Sequence, residues 1–212
     1  MIIMRFGSIR LRGLLLITGT LGIIWYISGC GGGGGLSDGG MGSLAQNLAQ
    51  GWALMESGSY SDSITKFNNV LSGSPTAIME ADARTGLGWT YAKQGSISTA
   101  ISHFERASNV NNDANVGLAG CYLARGNATD YSQAIALLNF IDQNGGGISL
   151  YSSPHTGVAP AELYAVLGYC HFLDGDEDKA KQYVEEAKKL DAYNESVLDI
   201  EDALKALGLS FD

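Results

Sequence analysis

Four carboxylates, Asp174, Asp176, Asp178 and Glu185, stand at the first, third, fifth and twelfth places of a calcium-binding loop. That loop needs glycine at its sixth place to turn sharply, and Lys179 occupies it here. The register of the repeats described below also puts residues 176–190 on a helix, which cannot wrap a cation. Acids in a helix's first turn complement the macrodipole, so these four are expected to serve the helix and to bind no metal. His103, His155 and His171 lie far apart in the chain, with no cluster at helical spacing. Zinc needs about four converging ligands, and none converge here. No acid, base and nucleophile assemble either, so neither catalysis nor a cofactor is expected.

Cys30 is the group whose surroundings do predict chemistry. Arg5, Arg10 and Arg12 precede an uncharged apolar run from Leu14 to Ile27, the layout of an export signal. The run ends Ile27-Ser-Gly-Cys30, which resembles the cleavage box of bacterial lipoproteins. That resemblance implies cleavage before Cys30 and lipid on its thiol and new amino group. The alternative is an uncleaved anchor, but the 17 residues from Gly13 to Gly29 are at the short limit for a membrane span. Residues 30–43 then read as the lipidated cysteine and a glycine-rich tether. The 13 residues after Cys30 reach roughly 20 Å as a random coil. A phosphate-cradling loop would need a strand before these glycines, and the signal supplies none. Gly31 rather than aspartate after the cysteine resembles lipoproteins sent to the outer membrane, which implies a chain facing the periplasm.

Without residues 1–29 the chain keeps 10 basic against 22 acidic side chains, a net charge of −12. That balance argues against nucleic acid and against broad contact with anionic lipid. A hydrophobic content of 45% is enough for one sizeable core.

The core is expected to be helical. Leu87 and Tyr91 lie one turn apart, Gly95 ends that helix, and Ile97, Ala100, Ile101, Phe104 and Ala107 form one stripe of the next. Small residues at Gly88 and Ala100 allow close approach, so the pair is an antiparallel hairpin. Leu87, Gly88, Tyr91, Gly95, Ala100, Phe104 and Ala107 together resemble the tetratricopeptide repeat (TPR). Arg84 and Asn112 depart from it where an aromatic and a proline belong.

The same pattern recurs through Gly51, Leu54, Gly58, Tyr60, Ile64, Phe67 and Pro75, and through Tyr164, Leu167, Gly168, Gly175, Ala180, Val184 and Ala187. His171 takes the tyrosine place in the latter. A weaker copy uses Gly120, Leu123, Ala134, Leu138 and Ile141, with Asp130 as an expected N-cap. The fold class is therefore all-α, an α-solenoid of about four repeats (44–75, 76–112, 113–142 and 160–192). An insertion at 143–159 interrupts them, and a capping helix at 194–207 closes the array. On that last helix Val197, Ile200, Leu204 and Leu207 form the inward stripe, with Glu201, Asp202 and Lys205 off it. Cys121 and Cys170 fall one residue out of register and are expected to be buried thiols.

The resemblance implies a scaffold whose first helices line an inner groove for a protein or peptide partner in the bacterial envelope, with no nucleic acid involved. Settings such as secretion, pilus assembly, polysaccharide export or outer-membrane protein assembly are all compatible. The expected groove residues are Trp52, Met55, Glu56, Trp89, Lys93, Arg125, Tyr169 and Phe172. Aromatics at those places could instead fill space between helices. A binder of small or carbohydrate ligands, using the aromatic groove and the 145–160 loop, is the alternative function.

Overall fold

The computed structural model describes residues 39–211 apart from Gly145, so the export signal and Cys30 lie outside the described residues. Among the described residues, nine α-helices follow in order: α1 Gly39–Glu56, α2 Tyr60–Ser72, α3 Ala77–Lys93, α4 Ile97–Ala107, α5 Asn112–Arg125, α6 Asp130–Asn144, α7 Pro160–Leu173, α8 Glu177–Leu190 and α9 Glu195–Ala206. A short 3-10 turn, Ile148–Leu150, lies within the insertion. The described residues contain no strand and no helix long and apolar enough to cross a membrane. Successive helices pair as antiparallel hairpins, and the first helices α1, α3, α5 and α7 also pack side by side. They form one wall of the array.

Close packing of that array follows from small residues facing large rings. Phe67 and Phe104 are fully buried, each held between a glycine of its own hairpin and one of the next helix. For Phe104 these are Gly88 and Gly117, and for Phe67 they are Gly51 and Gly86. A Cβ on Gly88 would stand 2.5 Å from Phe104 Cε1, so no larger residue fits without displacing the ring. Gly58, Gly95 and Gly175 turn the chain between hairpin helices at φ +81°, +79° and +91°, which only glycine adopts without strain.

Gly117 stands to Phe104 as Gly86 stands to Phe67. This sets the third repeat one residue earlier than the glycine pattern suggested. Ala119, fully buried, takes the small place expected of Gly120, and Tyr122 takes the place expected of Leu123. Gly120 itself is half-buried. Cys121 and Cys170 consequently share one register, yet both remain free and buried. Burial pushes each thiol up to about 12.

Three further expectations shift. Helix α1 begins at Gly39, so the last residues of the expected tether are helical. Buried Leu44 anchors the helix there, and adding turns to a nucleated helix costs little. Asp130 opens α6 as its first residue, with its carboxylate turned back to the Asn127 N–H (3.0 Å) and to Arg125. Glu201, expected off the stripe of α9, is only 5% exposed and accepts from Lys188 (3.0 Å) while pairing with Lys205 (2.8 Å). Two lysines compensate the burial of one carboxylate. Leu207 is left at the surface, and Leu209 is buried beyond the end of the helix.

Candidate functional site

Asp82 in α3 and Asp113 in α5 occupy the same register of successive hairpins, one helical turn ahead of Gly86 and Gly117, which pack on the rings of Phe67 and Phe104. Trp52 and Trp89 occupy another shared place, directly after the small residue of α1 and α3. The Trp52 Nε1–H donates to Asp82 Oδ1 at 3.1 Å, joining the first hairpin to the second. By register, Trp89 should donate to Asp113 in the same way. It does not: Trp89 Nε1 is buried without a partner.

Asp113 is instead engaged by the insertion. The Tyr151 hydroxyl donates to Asp113 Oδ1 at 2.7 Å, and the Ser153 hydroxyl donates to Oδ2 at 2.6 Å. Beyond them the chain reaches α1, where the His155 ring stacks on Trp52 with centroids 4.2 Å apart and an interplanar angle of 6°. His155 Nδ1 lies 3.1 Å from Glu56 Oε1. The insertion therefore crosses the first-helix wall over α5, α3 and α1. Its ends are fixed by Ile148, which is fully buried, by the Ile148 N–H on Asp142, and by the Ala159 N–H on the Glu162 carboxylate (3.0 Å).

Beside this strap lies a cleft of about 520 Å³, with Asp82, Asp113 and His155 among its lining groups. Three of its walls are aliphatic side chains left in solvent: Ile78 at 75%, Val110 at 59% and Leu150 at 74% exposure. Burial raises the Asp82 carboxyl above its ordinary value, opposed by its bond from Trp52 and by His155. Among the described residues neither Asp82 nor Asp113 has a lysine or arginine ion partner.

The groove residues expected from the sequence divide into three groups. Trp52, Met55 and Trp89 are buried, as is Tyr169, so they offer no open aromatic trough. Trp52 meets Phe67 edge-on at 5.5 Å, and Trp89 meets Phe104 at 5.6 Å, so each ring also fills space between its own helices. Glu56 is exposed and Lys93 half-buried, and burial depresses the Lys93 ammonium while Glu56 acts against that. Phe172 packs half-buried against the core. Arg125 is removed from the groove by the corrected register. Its guanidinium forms a two-bond fork with Asp130 at 2.9 and 2.7 Å.

The acids at the α7–α8 turn have a local role. Asp176 Oδ1 caps α8 by accepting from the Lys179 N–H at 3.1 Å, and Lys179 Nζ pairs with the same carboxylate. His171 lies buried against Tyr183, with ring centroids 5.3 Å apart. His155 was the histidine that mattered, together with Tyr151, Ser153, Asp82 and Asp113. The shared register of the two aspartates was a usable signal, hidden by the misplaced third repeat.

Paired helices with small-for-large packing define a helical repeat array with a strap across one wall. Comparison gives that class its name: residues 48–114 and 161–194 match the tetratricopeptide repeat family models. Those two stretches match tetratricopeptide repeats, a motif that generally mediates protein–protein interaction. Comparison with curated proteins gives no match. Among solved structures it resembles PilF of Pseudomonas aeruginosa, with a TM-score of 0.61 at 16% identity, covering 80% of this chain and 71% of that one. It also resembles MamA from AMB-1, with a TM-score of 0.54 at 18% identity, covering 78% of this chain and 82% of that one. MamA from MSR-1 gives 0.54 at 18% identity, covering 78% and 87% respectively. At such identities the likeness shows the fold alone.

Proposed function

We propose that this protein is a lipid-tethered adaptor of the bacterial envelope. In this reading Cys30 is acylated, the outer membrane holds the chain facing the periplasm, and the first-helix wall holds a protein or peptide partner. One observation carries the partner class: a non-helical run of this chain already lies across that wall, held through its side chains on α5 and α1. A wall that takes one such segment has the grips for another. Stacking of a sugar on Trp52 is disfavoured, because His155 covers that ring face.

Two measurements test the reading. Intact-mass analysis of membrane-purified protein should give a chain starting at Cys30 with added acyl mass. Retention of Met1 without lipid would refute the tether. Co-purification from envelopes should return one stoichiometric protein partner, lost when Ile78→Asp and Val110→Asp are combined. Both side chains are solvent-exposed, so the fold survives their exchange. Undiminished recovery by the double variant would refute the proposed wall as the binding surface.

A further inference from the structure

We propose that the 149–158 segment is a built-in occupant of the groove, and that the partner is an extended stretch of protein that replaces it, setting a planar ring on Trp52, hydrogen-bond donors on Asp113 and aliphatic side chains against Ile78 and Val110. This rests on the adaptor reading above and names the chemistry of the partner.

The grips are generic ones. A ring stacked on Trp52, a donor facing Glu56 and two donors on the Asp113 carboxylate are all groups that another peptide can present. The backbone at Tyr151 is extended, at φ −61° and ψ 134°, as a bound peptide's would be. Most of residues 151–159 belong to no helix or strand, so lifting them away breaks no secondary structure.

Two features show that the resting arrangement is incomplete. The first is Trp89, whose buried Nε1–H has no acceptor. Its register-equivalent, Trp52, donates to Asp82. The corresponding carboxylate for Trp89 is Asp113, whose two oxygens each accept a bond from the strap instead. An unpaired buried donor is a cost carried by the wall in this arrangement. Releasing Tyr151 and Ser153 frees Asp113 for the pairing seen one repeat earlier. The second feature is the aliphatic rim, where Ile78 and Val110 are more than half exposed beside a segment that leaves them uncovered. A longer occupant covers them, and that added burial is what allows it to displace a tethered competitor. The unneutralised pair Asp82 and Asp113 further favours a segment that brings donors rather than acceptors.

The probe is a synthetic peptide with the sequence of residues 149–158, Ser-Leu-Tyr-Ser-Ser-Pro-His-Thr-Gly-Val, with blocked ends, added to the full chain. In the wild type the attached strap competes at an effective concentration near millimolar, so binding is weak. A Tyr151→Phe, Ser153→Ala, His155→Ala triple variant keeps the buried ring of residue 151 and removes the grips. It should bind the peptide at least tenfold more tightly, and a scrambled peptide should not bind. Equal binding to both forms, or none to a triple variant with wild-type circular dichroism, would overturn the proposal. Should the triple variant not fold, His155→Ala alone tests it, since that ring is 31% exposed. Amide exchange in residues 149–158 should also rise when saturating peptide is added to the wild type, and unchanged exchange overturns the proposal. Failure here, with the partner still lost from the Ile78 and Val110 variant, would leave the adaptor reading intact.

Discussion

Trp52 and Trp89 occupy one register place in successive repeats, have the same burial and make the same edge-on contact with a phenylalanine. They differ in the bond to Asp82 and in the His155 ring stacked on Trp52, and phenylalanine keeps a ring for that stack while it removes the donor. Both exchanges remove the same atoms from the same kind of site, a shared loss of about 1–2 kcal/mol for imperfect filling. Trp52→Phe also removes the donor to Asp82. Bonds to charged acceptors contribute about 1.5–3 kcal/mol, and the half-buried Asp82 argues for the lower end. Trp89→Phe removes a buried N–H that has no acceptor, which returns about 1 kcal/mol. Trp52→Phe should therefore be less stable than Trp89→Phe by about 2–3 kcal/mol. For a domain of this size that separates their melting temperatures by roughly 5–10 °C. Urea unfolding followed by circular dichroism gives the comparison directly. Equal destabilisation would refute the reasoning, because it would mean that the Trp89 N–H finds an acceptor in solution. The same pair placed in the strap-released triple variant sharpens the test. There Trp89 can donate to Asp113, so the advantage of Trp89→Phe should disappear.

Three further outcomes follow from the packing and the charges. The bond from Arg125 holds the Asp130 carboxyl below its ordinary value, so the stability it contributes is present above the unfolded carboxyl value, about 3.9, and is lost as pH falls through the lower folded one. Acid-range melting should be less pH-dependent in Asp130→Asn, and an unchanged slope would contradict the fork. Cys121 and Cys170 should resist DTNB at pH 8 in the folded chain and react fully in guanidinium, whereas rapid labelling of either in the native protein would contradict their burial. Calcium titration should reveal no stoichiometric site at Asp174–Asp178, because Asp176 is committed to capping α8 and pairing Lys179, and a micromolar site would overturn that register.

The all-α repeat was legible because its signals are local. The run Leu87 to Ala107 carries its own turn glycine, its small place at Gly88 and the ring that fills it, all within two helices. The third repeat was misread because glycine alone was used as the register marker. Gly120 and Ala119 are adjacent, and only the position of Phe104 against Gly117 shows which one faces the neighbouring hairpin. That single step carried Arg125 into the expected groove and hid the equivalence of Asp82 with Asp113. The strap was out of reach for a different reason. Glu56 and His155 are 99 residues apart in the chain, and an insertion without periodicity gives no sign of where it lies. Its covering of Trp52 turned an expected open aromatic into a buried one. Glu201 was misplaced because period alone cannot show that Lys188, on another helix, would arrive to pair with it.

The central claim, that the first-helix wall is where a partner protein binds and where the strap competes with it, is tested most directly by photo-crosslinking in intact envelopes. A photoreactive residue at Ile78 places the reporter at the mouth of the cleft, and one at Tyr193, 89% exposed beyond α8, serves as the control. The account predicts a discrete protein adduct from position 78 that becomes more abundant in the Tyr151→Phe, Ser153→Ala, His155→Ala background, with no such adduct from position 193. The same adduct from both positions, or none from position 78 in either background, would contradict it.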